Sequence, residues 1–273
     1  MGWGNLLQSN ASSKMLMNMV LRRIGNKKKI AHKIYSLFPA HSVYIEPFFG
    51  AGGMFFNKPR AKHNILNDND EEVHNLFWVL QRNHSELLEI AKQAVQHESL
   101  FTHWKKNKET TPVLRAMRFL YLSNYSFMGK MDTLKIGPTH SHQIMLDAIE
   151  KTSSMLEGVV FTKGCFRDMF RKINFPEHQK IVIYCDPPYL DTDNNYQAGL
   201  CKQDVIDLFD LLQQYDYPFY YSEFNHPFIV EQAKERSLDI ITIGERQSLK
   251  NRSTEIVVTN HPVWSNSLFG GGV

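Results

Sequence analysis

Cysteine is scarce in this sequence, and the three present, Cys165, Cys185 and Cys201, are odd in number and share no Cys-x-x-Cys spacing. That excludes a disulfide-stapled scaffold and a thiolate zinc site, and it fits a reducing cytoplasm. No apolar run approaches the roughly 20 residues that a membrane-crossing helix needs, so no membrane partner is expected. The first residues lack a basic stretch followed by an apolar block, so no secretory signal is expected either. Repeats are absent, and low complexity is confined to the terminal Gly270-Gly271-Gly272-Val273. Charged residues, at 22%, are too few and aromatics, at 12%, too many for a disordered chain. What is left is a globular protein of 273 residues, long enough for one large core or a core with a small lobe.

Net charge is also small, +3, but it is unevenly placed. Residues 1–62 carry ten Lys or Arg and one acid, Glu46, whereas the remainder holds 21 basic and 27 acidic residues. The densest run is Arg22-Arg23-Ile24-Gly25-Asn26-Lys27-Lys28-Lys29. It reads either as a solvated basic turn or as a surface for an anion such as nucleic-acid phosphate, and charge alone does not choose.

Ile30, Ile34, Leu37 and Phe38 recur at helical spacing and stop at Pro39, which predicts a helix over 28–38. Short strands are expected at 43–45 and 64–66. A helical stretch over 71–123 follows, broken near 83–85 and 107–112 into two or three helices. Residues 124–142 read as irregular, 143–155 as a helix and 159–162 as a strand. The continuous apolar run Ile181-Val182-Ile183-Tyr184-Cys185 reads as a strand covered on both faces. Strands at 219–222, 239–243 and 255–259 then alternate with helices near 203–214 and 226–236. Such alternation predicts an α/β fold, a mostly parallel sheet with helices on both faces. The helical stretch is too long for one crossover and reads as an inserted lobe. Residues 21–73 and 146–262 would form the discontinuous main domain and 74–145 the lobe, with loosely ordered ends at 1–20 and 263–273.

Ligands bind at the carboxyl ends of strands in such sheets, and three motifs fall there. Pro47-Phe48-Phe49-Gly50-Ala51-Gly52-Gly53 is a glycine-rich turn that lets backbone amides approach a ligand, although many such turns are only turns. Asp68, about 20 residues on, is placed either to accept ribose hydroxyls or to cap the next helix. Asp186-Pro187-Pro188-Tyr189 directly follows the buried strand. Its two prolines fix the backbone, so Asp186 and the Pro187 carbonyl can accept hydrogens from one planar amino group. Tyr189 offers a flat face on which a base can stack. Without its neighbours the tetrapeptide could be a rigid loop with a capping Asp. His140-x-His142 has strand spacing for a metal pair but no evident third ligand, so no metal is expected. Tyr215, Tyr217, Phe219, Tyr220 and Tyr221 could stack bases, but read better as a buried edge of the sheet.

In these motifs and their order the sequence resembles the Dam-type (alpha-group) DNA adenine-N6 methyltransferases over residues 21–262. The resemblance rests on Glu46-Pro47-Phe48-Phe49-Gly50-Ala51-Gly52-Gly53 and Asp186-Pro187-Pro188-Tyr189. Gly25-Asn26-Lys27, Leu66-Asn67-Asp68 and Glu255-Ile256-Val257-Val258-Thr259-Asn260 support it. It implies a Rossmann-like, S-adenosylmethionine-dependent methyltransferase sheet with a helical DNA-recognition lobe. Phe48, Gly50 and Gly52 would form the cofactor turn, Asp68 would hold the ribose, and Phe166 would pack on the cofactor's adenine. Lys27 matches a cofactor-contacting lysine, and Asp186 lies where cofactor and target base meet. Two cofactor-side positions depart from the family: Arg23 stands where an aromatic residue is common, and Cys165 where Asp is frequent. The family's Asn-x-x-x-Phe-Asn-Gly appears as Ser123-Asn124-Tyr125-Ser126-Phe127-Met128-Gly129. Ser123, Asn124, Phe127, Lys130 and Lys135 would face DNA. The hairpin that follows in GATC-specific members is compressed here to 130–137, so a GATC target is not implied.

The implied reaction moves a methyl group to the exocyclic amino nitrogen of adenine. A carboxylate with a reference pKa of about 3.9 cannot deprotonate an aromatic amine beforehand. It can accept a hydrogen bond and favour the pyramidal nitrogen that forms as the methyl arrives. The base must leave the duplex first, with Tyr189 replacing lost stacking. Double-stranded DNA is the expected partner, with a cognate restriction endonuclease possible. Alternatives are a cytosine-amino methyltransferase, whose tetrapeptide typically begins with Ser, an RNA-directed enzyme, and a non-catalytic DNA-binding relative.

Overall fold

Seven strands form one sheet in a computed structural model that describes residues 20–23, 25–137, 141–175, 179–190, 199–247 and 252–261. In chain order, α1 (Ala31–Tyr35) precedes β1 (Val43–Glu46) and β2 (His63–Asp68). Five helices follow: α2 (Glu71–Arg82), α3 (His84–Gln93), α4 (Glu98–Lys106), α5 (Pro112–Tyr125) and α6 (Ser141–Met155). Then come β3 (Val160–Lys163), α7 (Phe166–Lys172), β4 (Ile181–Cys185) and α8 (Lys202–Tyr215). β5 (Phe219–Phe224), α9 (Pro227–Glu235), β6 (Asp239–Gln247) and β7 (Arg252–Thr259) complete the order.

The strand order is β3-β2-β1-β4-β5-β7-β6. β1 to β5 are parallel, and β7 runs antiparallel to both β5 and β6. From β1 the chain steps outward to β2 and β3, then returns to the opposite side of β1 for β4. The loops leaving β1 and β4 therefore diverge, and the crevice between them is the topological switch point where such sheets bind ligands.

Period-two alternation divides the strands between two cores. Tyr44, Val182, Tyr184, Tyr220 and Val257 point to one side, and Ile45, Ile183, Phe219, Tyr221 and Val258 to the other. The first face is covered by the helical insertion: Leu76, Phe77, Leu80, Leu120 and Ile149 share one core with Tyr44 and Leu66. The insertion is thus a layer of the main core rather than a body with a core of its own. The second face is covered by Phe170 of α7, Leu208 and Phe209 of α8, and Ile229 of α9.

All seven predicted strands are present, and the helices predicted near 143–155, 203–214 and 226–236 are present as well. Three readings need correction. The helix expected over 28–38 is a 3-10 turn at Lys27–Lys29 followed by α1, because the Asn26 side chain accepts the Lys28 amide at 2.8 Å and starts a separate turn. The stretch 71–123 holds four helices. The unforeseen break at 94–97 is held by the Tyr121 hydroxyl, which accepts the His97 amide at 2.8 Å. β5, with its Tyr and Phe residues, lies between β4 and β7, so it is interior and not an edge; Phe219, Tyr220 and Tyr221 are buried and present no face to a base. The ends read as loosely ordered lie outside the described residues, apart from Val20.

Candidate active site

The glycine-rich turn leaves the end of β1 at the switch point. Gly50 and Gly52 both have positive φ, 54° and 71°, which L side chains rarely adopt. Their surroundings differ. A Cβ on Gly52 would come within 2.5 Å of the Phe49 and Phe56 rings, so that glycine serves internal packing. A Cβ on Gly50 would meet nothing within 4 Å. The Gly50 amide donates to Asp68 at 2.6 Å, and the second Asp68 oxygen accepts the Asp70 amide at 2.8 Å. Burial pushes the Asp68 carboxyl up to about 6, opposed by those amides. Asp68 is not the helix cap: Asp70 caps α2, accepting the amides of Glu72 and Val73.

Phe48 and Phe166 bring their rings to 5.6 Å at the ends of β1 and β3, with half-buried Cys165 just before Phe166. Phe48, Gly50, Gly52, Asp68, Cys165 and Phe166 are thus gathered by neighbouring strand ends. Arg23 stands at their flank. Its guanidinium meets Asp70 at 2.5 Å and lies 5.3 Å over the Phe119 ring, so it is tied to the cap of α2.

On the other side of the crevice, β4 ends at Cys185 and delivers Asp186, with Pro187 buried and Pro188 half-buried. Lys27 is only 2% exposed, and its ammonium lies 2.6 Å from Asp186 and 3.4 Å from Glu255. It also sits 4.6 Å from the Tyr189 ring centroid. The side chain expected on the cofactor side is therefore in contact with the tetrapeptide itself. Tyr189 donates its hydroxyl to Glu255 and packs edge-on against Phe224 at 4.6 Å. Glu223 accepts the amides of Leu190 at 3.3 Å and Phe224 at 2.9 Å, which anchors the backbone beyond Tyr189. Burial pushes the Glu223 carboxyl up to about 8, and that of Glu46, which accepts the Tyr44 hydroxyl, well above the usual range.

Glu255 belongs to a segment that the sequence motifs single out without giving the residue a role, and Glu223 belongs to no motif. Nothing local marks Glu223. For Glu255 the available signal is a carboxylate beside an otherwise apolar run, Ile256-Val257-Val258.

The residues expected on DNA divide into two groups. Ser123 and Asn124 are buried, and this corrects their reading as DNA contacts. Ser123 Oγ accepts the Arg22 amide at 2.9 Å and donates to the Arg22 carbonyl at 2.8 Å. Asn124 donates to the carbonyls of Val20 and Leu120. Both pin the segment that leads to Lys27. Beyond them the chain folds into a tight turn, with Phe127 donating to Thr133 and Lys135 to Tyr125 along the backbone. Phe127 is 55% exposed, Ile136 84%, and Lys130 and Lys135 lie on the surface beside them. His142 pairs with the Tyr125 hydroxyl at 2.9 Å; its expected companion His140 lies outside the described residues. Among the described residues no group of three His, Cys, Asp or Glu is placed to hold a metal ion, and no helix is long and apolar enough to cross a membrane.

Comparison with known proteins bears on this arrangement. Residues 24–254 match the D12 class N6 adenine-specific DNA methyltransferase family. A DNA adenine methylase of Haemophilus influenzae is 28% identical over 209 residues, which are 68% of this chain and 71% of that protein. The type II methyltransferase M1.LlaDCHI of Lactococcus lactis subsp. cremoris is 23% identical over 94% of this chain and 99% of its own length. Among solved structures, the N-terminal domain of human METTL16 in complex with SAH aligns at a TM-score of 0.38 and 9% identity, over 87% of this chain and 68% of that one. With most of its length matched, glycine-rich turn and Asp186-Pro187-Pro188-Tyr189 included, the chain belongs to the D12 class of N6 adenine-specific DNA methyltransferases.

Proposed function

We propose that this adenine-specific DNA methyltransferase takes its methyl group from S-adenosylmethionine at the β1–β3 side of the crevice and holds a flipped adenine at the β4 side. One observation carries the reading: the glycine-rich turn and Asp186-Pro187-Pro188-Tyr189 flank a single switch point. The residues present suit such a cofactor. Open space at Gly50 admits a ligand against the backbone, Asp68 supplies a carboxylate for ribose hydroxyls, and half-buried Phe48, backed by buried Phe166, offers aromatic surface for a purine. Asp68 and Asp186 place a carboxylate on each side of the crevice, which complements a sulfonium cation. When bound, the cofactor supplies an electrophilic methyl group.

The chain's own part is orientation and charge. Asp186 accepts a hydrogen bond from the amino group of the base together with the Pro187 carbonyl, which directs the nitrogen lone pair. Lys27 fixes one Asp186 oxygen and steadies the Tyr189 ring on which the base would stack. Pro188 keeps Tyr189 in register with Asp186. Residues 74–145 read the DNA, through Phe127, Lys130 and Lys135 at the exposed turn. Arg22 lies beside that turn, since Gly129 packs on its carbonyl, and with Lys28 and Lys29 it would take phosphates.

Methylation-sensitive sequencing of DNA from cells expressing the protein tests activity and target together. Adenine methylation at a defined motif, lost in Asp186→Ala, is the expected result. Methyl incorporation into RNA but not duplex DNA would refute the reading, and so would cytosine as the methylated base.

A further inference from the structure

Glu255 is a carboxylate only 1% exposed, directly before the buried apolar run Ile256-Val257-Val258 of its strand. Burying a carboxylate is costly unless charge and hydrogen bonds compensate it. Here the compensation comes from the site. One Glu255 oxygen accepts the hydroxyls of Tyr189 and Ser222 and lies 3.4 Å from the Lys27 ammonium. The same ammonium lies 2.6 Å from Asp186 and 4.6 Å from the centre of the Tyr189 ring. Because β7 is antiparallel, Glu255 pairs with Phe224 at the end of β5, and Phe224 holds the Tyr189 ring edge-on. Tyr189 is thus held by three contacts: its hydroxyl by Glu255 itself, its ring face by the ion-pair partner Lys27, and its ring by a perpendicular contact with Phe224. A ring that receives a base works only if its plane is set before the base arrives.

We propose that Glu255 is a positioning residue for methyl transfer: it fixes the plane of Tyr189 through the phenol hydroxyl and holds Lys27 between itself and Asp186. It does not touch the base. This rests on the function proposed above, and the test separates the two.

Single-turnover methylation of duplex DNA would be measured for the wild type, Tyr189→Phe, Glu255→Gln and the double variant. Cofactor affinity would be followed by calorimetry and base extrusion by 2-aminopurine fluorescence. Each single variant should slow transfer by about 10-fold, the scale of one charge-assisted hydrogen bond, with cofactor affinity within about 2-fold of wild type. The double variant should be slower than the worse single by less than about 3-fold, because both changes cut one linkage. The 2-aminopurine signal should broaden or weaken in the single variants, which a purely structural role would not produce. Single effects that multiply in the double variant, or a wild-type rate in Tyr189→Phe, overturn the inference. Tyr189→Phe keeps ring and fold, so it decides the matter even if Glu255→Gln does not fold. A wild-type protein that fails to methylate duplex DNA overturns the functional reading, and this one with it.

Discussion

The crevice between β1 and β4 and the turn after α5 are built on opposite principles. In the crevice, Lys27, Asp186, Tyr189 and Glu255 hold one another, and Glu223 and Asp68 are tied to backbone amides. At the turn, the backbone is pinned by Ser126 and by Phe127–Thr133 pairing, while Phe127, Met128, Ile136 and the two lysines face solvent. Interlocked side chains tolerate little change, since removing one leaves a buried charge or donor exposed to its full desolvation cost. Side chains on a rigid turn can be exchanged without disturbing what lies beneath. On the function proposed above, the contrast would separate a fixed reaction from an adjustable address.

The comparison is broken most severely at Asp186. Asp186→Ala should lower the methyl-transfer rate by at least about 10²–10³-fold while cofactor binding persists, as for loss of a group that stabilises developing charge. A near-normal turnover in single-turnover assays would remove Asp186 from the chemistry. Asp68→Ala should weaken cofactor binding by roughly 1–3 kcal/mol, because ribose hydroxyls and the Gly50 amide lose their acceptor together. An unchanged dissociation constant by calorimetry would reduce Asp68 to a brace for the turn.

At the address end, replacing residues 130–137 should change the methylated motif and leave cofactor affinity intact. If the motif survives the exchange, recognition lies elsewhere. Lys130→Ala and Lys135→Ala sharpen the point. Removing a lysine that touches phosphate should lower the salt slope of binding by about one for all sequences, whereas removing one that touches a base should relax one position at roughly 1–3 kcal/mol.

The smallest effect is on stability. Glu223 rises from an ordinary 4.5 to about 8, and Asp68 from 3.8 to about 6, both through burial. Each holds a proton in the folded chain that the unfolded chain has already released. Their contribution is complete below pH 4 and is lost as the pH climbs through 6 and then 8. Thermal midpoints should drift down from pH 5 to pH 8, and Glu223→Gln should flatten the upper half of that drift. An identical slope in that variant would place the titration in another group.

The strands were legible because their apolar runs are bounded by glycine, proline or charge, as Ile181–Cys185 is by Asp186-Pro187. The break after Gln93 was not, since it carries no turn residue and depends on Tyr121, 24 residues away in the next helix but one. That Gly50 and Asp68 meet was readable, because both lie in one strand-turn-strand unit. Lys27 could be matched to a motif, but its place against Asp186, 159 residues on, is a product of sheet topology that spacing does not encode. Ser123 and Asn124 misled for a related reason. A polar pair at the end of a helix looks the same whether it faces DNA or, as here, the backbone carbonyls of a docked segment.

β7 enters the sheet between two strands that precede it in the chain, β5 and β6. A chain emerging from the ribosome has therefore displayed its glycine-rich turn and Asp186-Pro187-Pro188-Tyr189 well before the strand that carries Glu255 exists. Until that strand pairs with β5, Tyr189 and Ser222 lack their shared acceptor, and Lys27 lacks its second anion. With Glu255 in the role proposed for it, competence to modify DNA would be tied to translation past β7, and an interrupted product would carry both signature motifs and still have an unfinished site.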